Sequence, residues 1–103
     1  MSDAASVAVR EVTVPNQEGL HARPVMRFVD LASKYKSTVS VTNLSRGCET
    51  VDGKSAMQMM LLEATQGSLL KIETSGEDAQ EAVDSLADLV GAGFDTDALQ
   101  RPA

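Results

Sequence analysis

Apolar residues recur along this chain with two periods. From Val25 they fall at i, i+3, i+4 and i+7, through Phe28, Val29 and Ala32. That is the stripe of an amphipathic helix, predicted over about Ala22 to Tyr35. Val12 and Val14 share one face of a predicted strand over Val9 to Val14. Thr38-Val39-Ser40-Val41-Thr42 alternates and is rich in β-branched residues, which predicts a second strand. Glu49 to Val51 gives a short third strand, and Leu70, Ile72 and Thr74 against Lys71 and Glu73 give a fourth. A short apolar helix is expected from Ser55 to about Leu62, with Gly67 breaking the pattern. Ser75 and Asp78 read as an S-x-x-D helix start. The last helix turns Ala79, Val83, Leu86 and Val90 inward and Asp84 and Asp88 outward, and Gly91 and Gly93 stop it.

The predicted order is therefore β-α-β-β-α-β-α. Strands wet on one face, with helices gathered on the other, make an α+β two-layer sandwich. Pro15 to Gly19 and Asn43 to Cys48 carry turn chemistry. Residues 1–8 are expected to be a flexible N-terminal tail, 9–93 the domain, and 94–103 an acidic C-terminal tail.

Composition narrows the setting. A chain of 103 residues has room for one ordinary core, and 43% apolar content is enough to fold it. Cys48 is the only cysteine, so no internal disulfide can form, which suits a reducing cytoplasm. No apolar run approaches the ~20 residues that span a membrane, and the first residues do not read as a signal peptide. The net charge of −6 lies entirely beyond residue 65, where two bases meet eight acids. An acidic domain without a basic stripe lacks the footprint of a nucleic-acid binder.

Gly19-Leu20-His21-Ala22-Arg23-Pro24 holds the only histidine and opens the first helix. Pro24 fits a first turn, where its missing N–H costs nothing. A helix start presents unpaired N–H groups and a positive dipole end, a natural cradle for phosphate. Ala22 and Arg23 offer such N–H groups, and the Arg23 guanidinium adds fork geometry. An ordinary imidazole, with a pKa of about 6.5, is mostly neutral at pH 7 and hence nucleophilic. A nucleophile beside an anion cradle suggests an acceptor of a phosphoryl group. His21 and Cys48 alone cannot make a zinc site, and nothing supports a hydrolytic triad.

Gly19 to Pro24 resembles the active-site signature of HPr, the histidine-containing phosphocarrier of the bacterial phosphotransferase system. Asp52-Gly53-Lys54-Ser55-Ala56-Met57 resembles that family's second hallmark, a Lys-Ser ahead of a short apolar helix. The likeness runs from about Val9 to Val90, with roughly three extra residues between the blocks. It implies an open-faced sandwich: a four-stranded antiparallel sheet with three helices on one face. It implies that His21 is phosphorylated through Nδ1 and that Arg23 attends the transfer. The phosphoryl group would come from enzyme I and pass to an EIIA-type acceptor domain in phosphoenolpyruvate-dependent sugar transfer. Such a protein is a cytoplasmic, monomeric carrier without a cofactor rather than an enzyme.

The same resemblance gives Ser55 a regulatory reading, since part of the family is phosphorylated there by a dedicated HPr kinase/phosphorylase. Ala56 departs from that pattern, where a larger aliphatic residue is usual. The crowded apolar helix leaves a surplus, Met57 with Met60 or Leu61, as an adaptable docking patch. Arg27 and Lys54 are expected at its rim. Glu18 departs from a small hydroxylated residue in the family pattern and is expected to face solvent. The longer hairpin at Asn43–Glu49 has no account in that pattern. The alternative reading is a regulatory HPr-like module controlled at His21 or Ser55. A plain interaction domain comes third, against the intact Arg23 and Pro24.

Overall fold

The observed order of elements is the expected one. A computed structural model describes residues 6–17, 19–47 and 49–94. It contains β1 (Val7–Thr13), α1 (Ala22–Ala32), β2 (Thr38–Asn43), β3 (Thr50–Asp52), α2 (Ala56–Met60), β4 (Leu69–Ser75) and α3 (Ala79–Gly91). The strands form one antiparallel sheet in the order β1-β4-β2-β3. β4 is inserted between β1 and β2, so Ile72 sits opposite both Arg10 and Val41. The helices cover one face.

Their shared core is a single cluster. Val25, Phe28 and Ala32 come from α1, Met59 from α2, and Val83, Leu86, Leu89 and Val90 from α3. They meet Val39, Val41, Leu70 and Ile72 from the sheet. The helical and strand periods of the sequence thus converge on one interior. On the opposite face the Thr42 and Thr50 hydroxyls pair across β2 and β3 at 2.8 Å.

Several boundaries move for identifiable reasons. β1 starts at Val7, within the expected tail, because Val7 pairs with Ser75 and Ala8 is buried. Val14 lies beyond the strand yet remains in the core, with its N–H donated to Ser68 O. α1 and α2 end sooner than predicted because their last turns tighten. Tyr35 bonds back to Ala32 and Leu62 to Met59, an i to i+3 spacing. Glu63, with φ at 51°, then stops α2. β3 is Thr50–Asp52, one residue later than expected. Phe94, counted with the C-terminal tail, is buried in the core.

The hairpin that had no family account closes around Asn43. Its Oδ1 accepts from Ser45 N–H and its Nδ2 donates to Leu62 O, tying the loop to the end of α2. Ser45 Oγ in turn accepts from Leu69 N–H at the start of β4.

The S-x-x-D reading is corrected. Asp78 is the N-cap of α3, but its side chain makes no cap bond. Its carboxylate accepts instead from Lys36 N–H, Ser37 N–H and the Ser37 hydroxyl, across the turn between α1 and β2. Those donors, the Ser37 hydroxyl first and the Lys36 amide next, lower the carboxyl pKa to about 2. The folded value lies below the unfolded one, so this contribution to stability is complete above about pH 4. It is lost as pH falls towards 2. Asp78→Asn is therefore expected to melt below the wild type at pH 6. The gap should narrow on acidification between about pH 4 and 2, as read by circular-dichroism melts across that range.

Candidate functional site

The chain reaches α1 through a loop whose path is fixed by close contacts. Asn16 Nδ2 donates to Gly19 O at 2.7 Å, and Gly19 N–H returns to Asn16 O at 3.1 Å. Leu20 N–H donates to Ala64 O at 2.9 Å, and the Leu20 side chain is buried. Gly19 has φ +66°, and a Cβ there would fall 2.5 Å from Ala64 O. Only glycine fits both the conformation and the space.

His21 follows, exposed, as the N-cap of α1, with extended backbone at φ −126° and ψ −167°. Its carbonyl accepts the first helical bond from Val25 N–H at 3.0 Å, while its ring makes no cap bond to the helix. Ala22 and Arg23 are the first two helical residues, so their N–H groups have no intrahelical acceptor. Pro24 comes third, still inside the first turn, and removes one donor that would otherwise be orphaned.

These residues border a cleft of about 550 Å³. His21, Ala22 and Arg23 form one side, Asn16 contributes from the loop, and Arg27 lies one helical turn beyond Arg23. Gly93-Phe94, just after α3, gives a further part of the cleft wall. That wall has a defined geometry. Gly93 is left-handed at φ +71°, Gly93 N–H bonds Val90 O and Phe94 N–H bonds Leu89 O. This is a Schellman closure, with Phe94 packed in the same core as Leu89. Arg27 Nη1 donates to Phe94 O at 2.8 Å and so fastens the wall to α1.

The expected site residues separate into groups. His21, Ala22 and Arg23 meet at the cleft, and Arg27 joins them there. Asn16 and Phe94 were missed. Asn16 was read only as turn chemistry, and Phe94 as tail. Lys54, expected at the docking rim, donates its ammonium to Tyr35 O at 2.8 Å and closes the end of α1. Ser55 is the N-cap of α2, and its hydroxyl accepts from Gln58 N–H at 3.2 Å. Glu18 and Cys48 lie outside the described residues.

Beside the cleft runs a shallow apolar groove lined by Ala22, Val25, Met26, Ala56, Met57 and Met60. Met57 is 80% exposed, and Met26, absent from the sequence reading, is 47% exposed. Met26 was detectable: it lies off the buried stripe of α1, one turn after Ala22. Leu61 is exposed too, but it borders a separate depression with Asn43, Arg46 and Glu63. Ala22 lines both cleft and groove, which makes them neighbours.

A family model described as the PTS HPr component phosphorylation site matches residues 8–92. The chain belongs to the HPr family. These are the phosphocarriers of the phosphotransferase system. The chain is 41% identical over 88 residues to a phosphocarrier protein NPr of Proteus mirabilis, covering 85% of this chain and 96% of that one. It is 41% identical over 85 residues to a phosphocarrier protein HPr of Pseudomonas aeruginosa, covering 82% and 92%. A multiphosphoryl transfer protein of Haemophilus influenzae is 40% identical over 82 residues, 80% of this chain but 16% of that longer one. Among solved structures, an HPr of Bacillus anthracis matches at TM-score 0.76 and 34% identity, covering 82% and 98%. The open-faced sandwich implied by the resemblance is thus the HPr fold.

The Gly19 contact is testable without any partner. Gly19→Ala forces an unfavourable φ and a clash with a backbone oxygen, at a cost of about 1–3 kcal/mol. In a domain of this size each kcal/mol corresponds to roughly 4–8 °C in Tm. A melting curve within 1 °C of the wild type would show that the loop is not pinned as described.

Proposed function

We propose that His21 accepts a phosphoryl group from phospho-enzyme I and passes it to an EIIA-type acceptor. The observation that carries this reading is an exposed imidazole at the start of α1, on a cleft that also holds Arg23 and Arg27. The lone pair of a ring nitrogen, Nδ1 by resemblance, attacks phosphorus. The P–N bond in the donor breaks, and its electron pair returns to the donor's ring. A new P–N bond leaves a dianion at the start of a helix. There the Ala22 and Arg23 N–H groups donate to its oxygens, and the helix dipole favours its charge. Transfer to the acceptor is the same exchange with His21 as leaving group. Little covalent work falls to the protein, so positioning and charge stabilisation carry the step.

Enzyme I, loaded from phosphoenolpyruvate, and the acceptor would dock on the methionine groove. Flexible thioethers can repack against different partner surfaces, as a carrier with two partners requires. The likeness to part of a multiphosphoryl transfer protein supports a place in such a relay. In this reading the chain is a monomeric cytoplasmic carrier. No helix among the described residues is long and apolar enough to cross a membrane.

Incubation with phosphoenolpyruvate and a cognate enzyme I should add one phosphate by intact mass. The adduct should be acid-labile and absent from His21→Ala. A folded wild type that gains nothing would overturn the assignment. Docking has its own test. Met57→Glu is expected to raise the KM for this chain in enzyme I phosphotransfer by roughly tenfold, the loss of about 1.4 kcal/mol at an anchor residue. The Tm should stay within about 2 °C of the wild type, because this side chain is exposed.

A further inference from the structure

We infer that Arg27 is a second phosphoryl-binding cation, held in place for the dianion by the turn after α3. This rests on the reading of His21 as acceptor. Arg23 and Arg27 are four apart on α1 and share one face of the helix. Helical side chains lean towards the N-terminus, so Arg27 reaches back along α1 towards the turn that carries His21. Both arginines border the same cleft as the histidine. The partner of Arg27 is decisive. Its Nη1 is bonded to the Phe94 carbonyl, and no carboxylate among the described residues pairs with it. Arg10 and Arg46, by contrast, are paired with Asp84 and Glu63. A neutral carbonyl fixes a guanidinium without cancelling its charge. The planar fork leaves further donors on the same group for an anion. A cation already immobilised loses less freedom when the anion arrives.

The Phe94 carbonyl is available because the Schellman closure has fixed the chain there. Phe94 itself sits at φ 66° with its ring buried, so its position is strongly determined. The device therefore runs from the α3 terminus through one hydrogen bond to the charge in the cleft. It differs from a docking role, in which Arg27 would meet a partner's surface.

The measurement that separates these roles is an equilibrium rather than a rate. Phosphoenolpyruvate and the carrier are brought to equilibrium with pyruvate and phosphocarrier, with enzyme I present only as catalyst. A docking defect slows the approach but cannot move the end point. Arg27→Gln keeps an amide donor for the Phe94 carbonyl and removes the charge. It is expected to lower the equilibrium constant by roughly threefold to tenfold while leaving the melting curve near the wild type. Arg27→Lys should restore the constant to within about twofold. Arg27→Met serves as the uncharged variant should the Gln form not fold. An unchanged constant in the uncharged variant, with wild-type His21 phosphorylated, overturns the inference and leaves the acceptor assignment standing. A Lys variant as impaired as the Gln variant also overturns it. Failure of the wild type to take phosphate on His21 removes both.

Discussion

The placement of His21 depends on a backbone hydrogen bond made one residue earlier. Leu20 N–H meets Ala64 O, and Gly19 passes so close to that oxygen that no side chain fits. With the Leu20 side chain buried, the next residue emerges at the surface. There it caps α1 instead of continuing the loop. Ala64 is itself held, because α2 ends at a left-handed Glu63 and the preceding Leu62 carbonyl is fixed by buried Asn43. A loop that packs on a loop is thus referred back to the sheet through β2. Positioning by rigid elements matters here, since the chemistry proposed for His21 needs little beyond correct placement.

Two cations serve the same structural purpose in the helical layer. Lys54 bonds the Tyr35 carbonyl beyond α1, and Arg27 bonds the Phe94 carbonyl beyond α3. Both carbonyls lie three residues past a helix end, in a turn where a basic side chain is a suitable donor. In each case the bond joins two elements: the β3–α2 turn with α1, and α1 with α3. Asp78 does the converse with backbone amides, drawing the turn after α1 onto the start of α3. These three charged residues therefore register the helices and their turns against one another.

Element order and the core stripe were legible because burial imposes a period on the sequence. Val25, Phe28 and Ala32 in α1, and Val83, Leu86 and Val90 in α3, are buried as their spacing requires. The helix start at His21 was legible because Pro24 and the turn ahead of it are local signals. What failed to show were contacts between residues distant in sequence. Nothing near Arg27 announces Phe94, and nothing near Asp78 announces Ser37. Ser75 and Asp78 read as one helix start because that is the local use of such a pair; the Asp78 carboxylate instead finds its partners in the turn between α1 and β2. Met26 and Leu61 needed the three-dimensional arrangement to sort one into the groove and the other away from it. Phe94 looked like tail because acids follow it, although its ring completes the core.

The Schellman closure has a geometric consequence for the chain as a tether. β1 brings the polypeptide in from Val7, beside Ser75, and runs to Val14 near the loop of the site. The start of β1 thus lies roughly 20 Å, the length of the strand, from that loop. Phe94, by contrast, belongs to the wall of the cleft itself. The described chain therefore enters a strand's length from the histidine and ends on the wall of the histidine's own cleft.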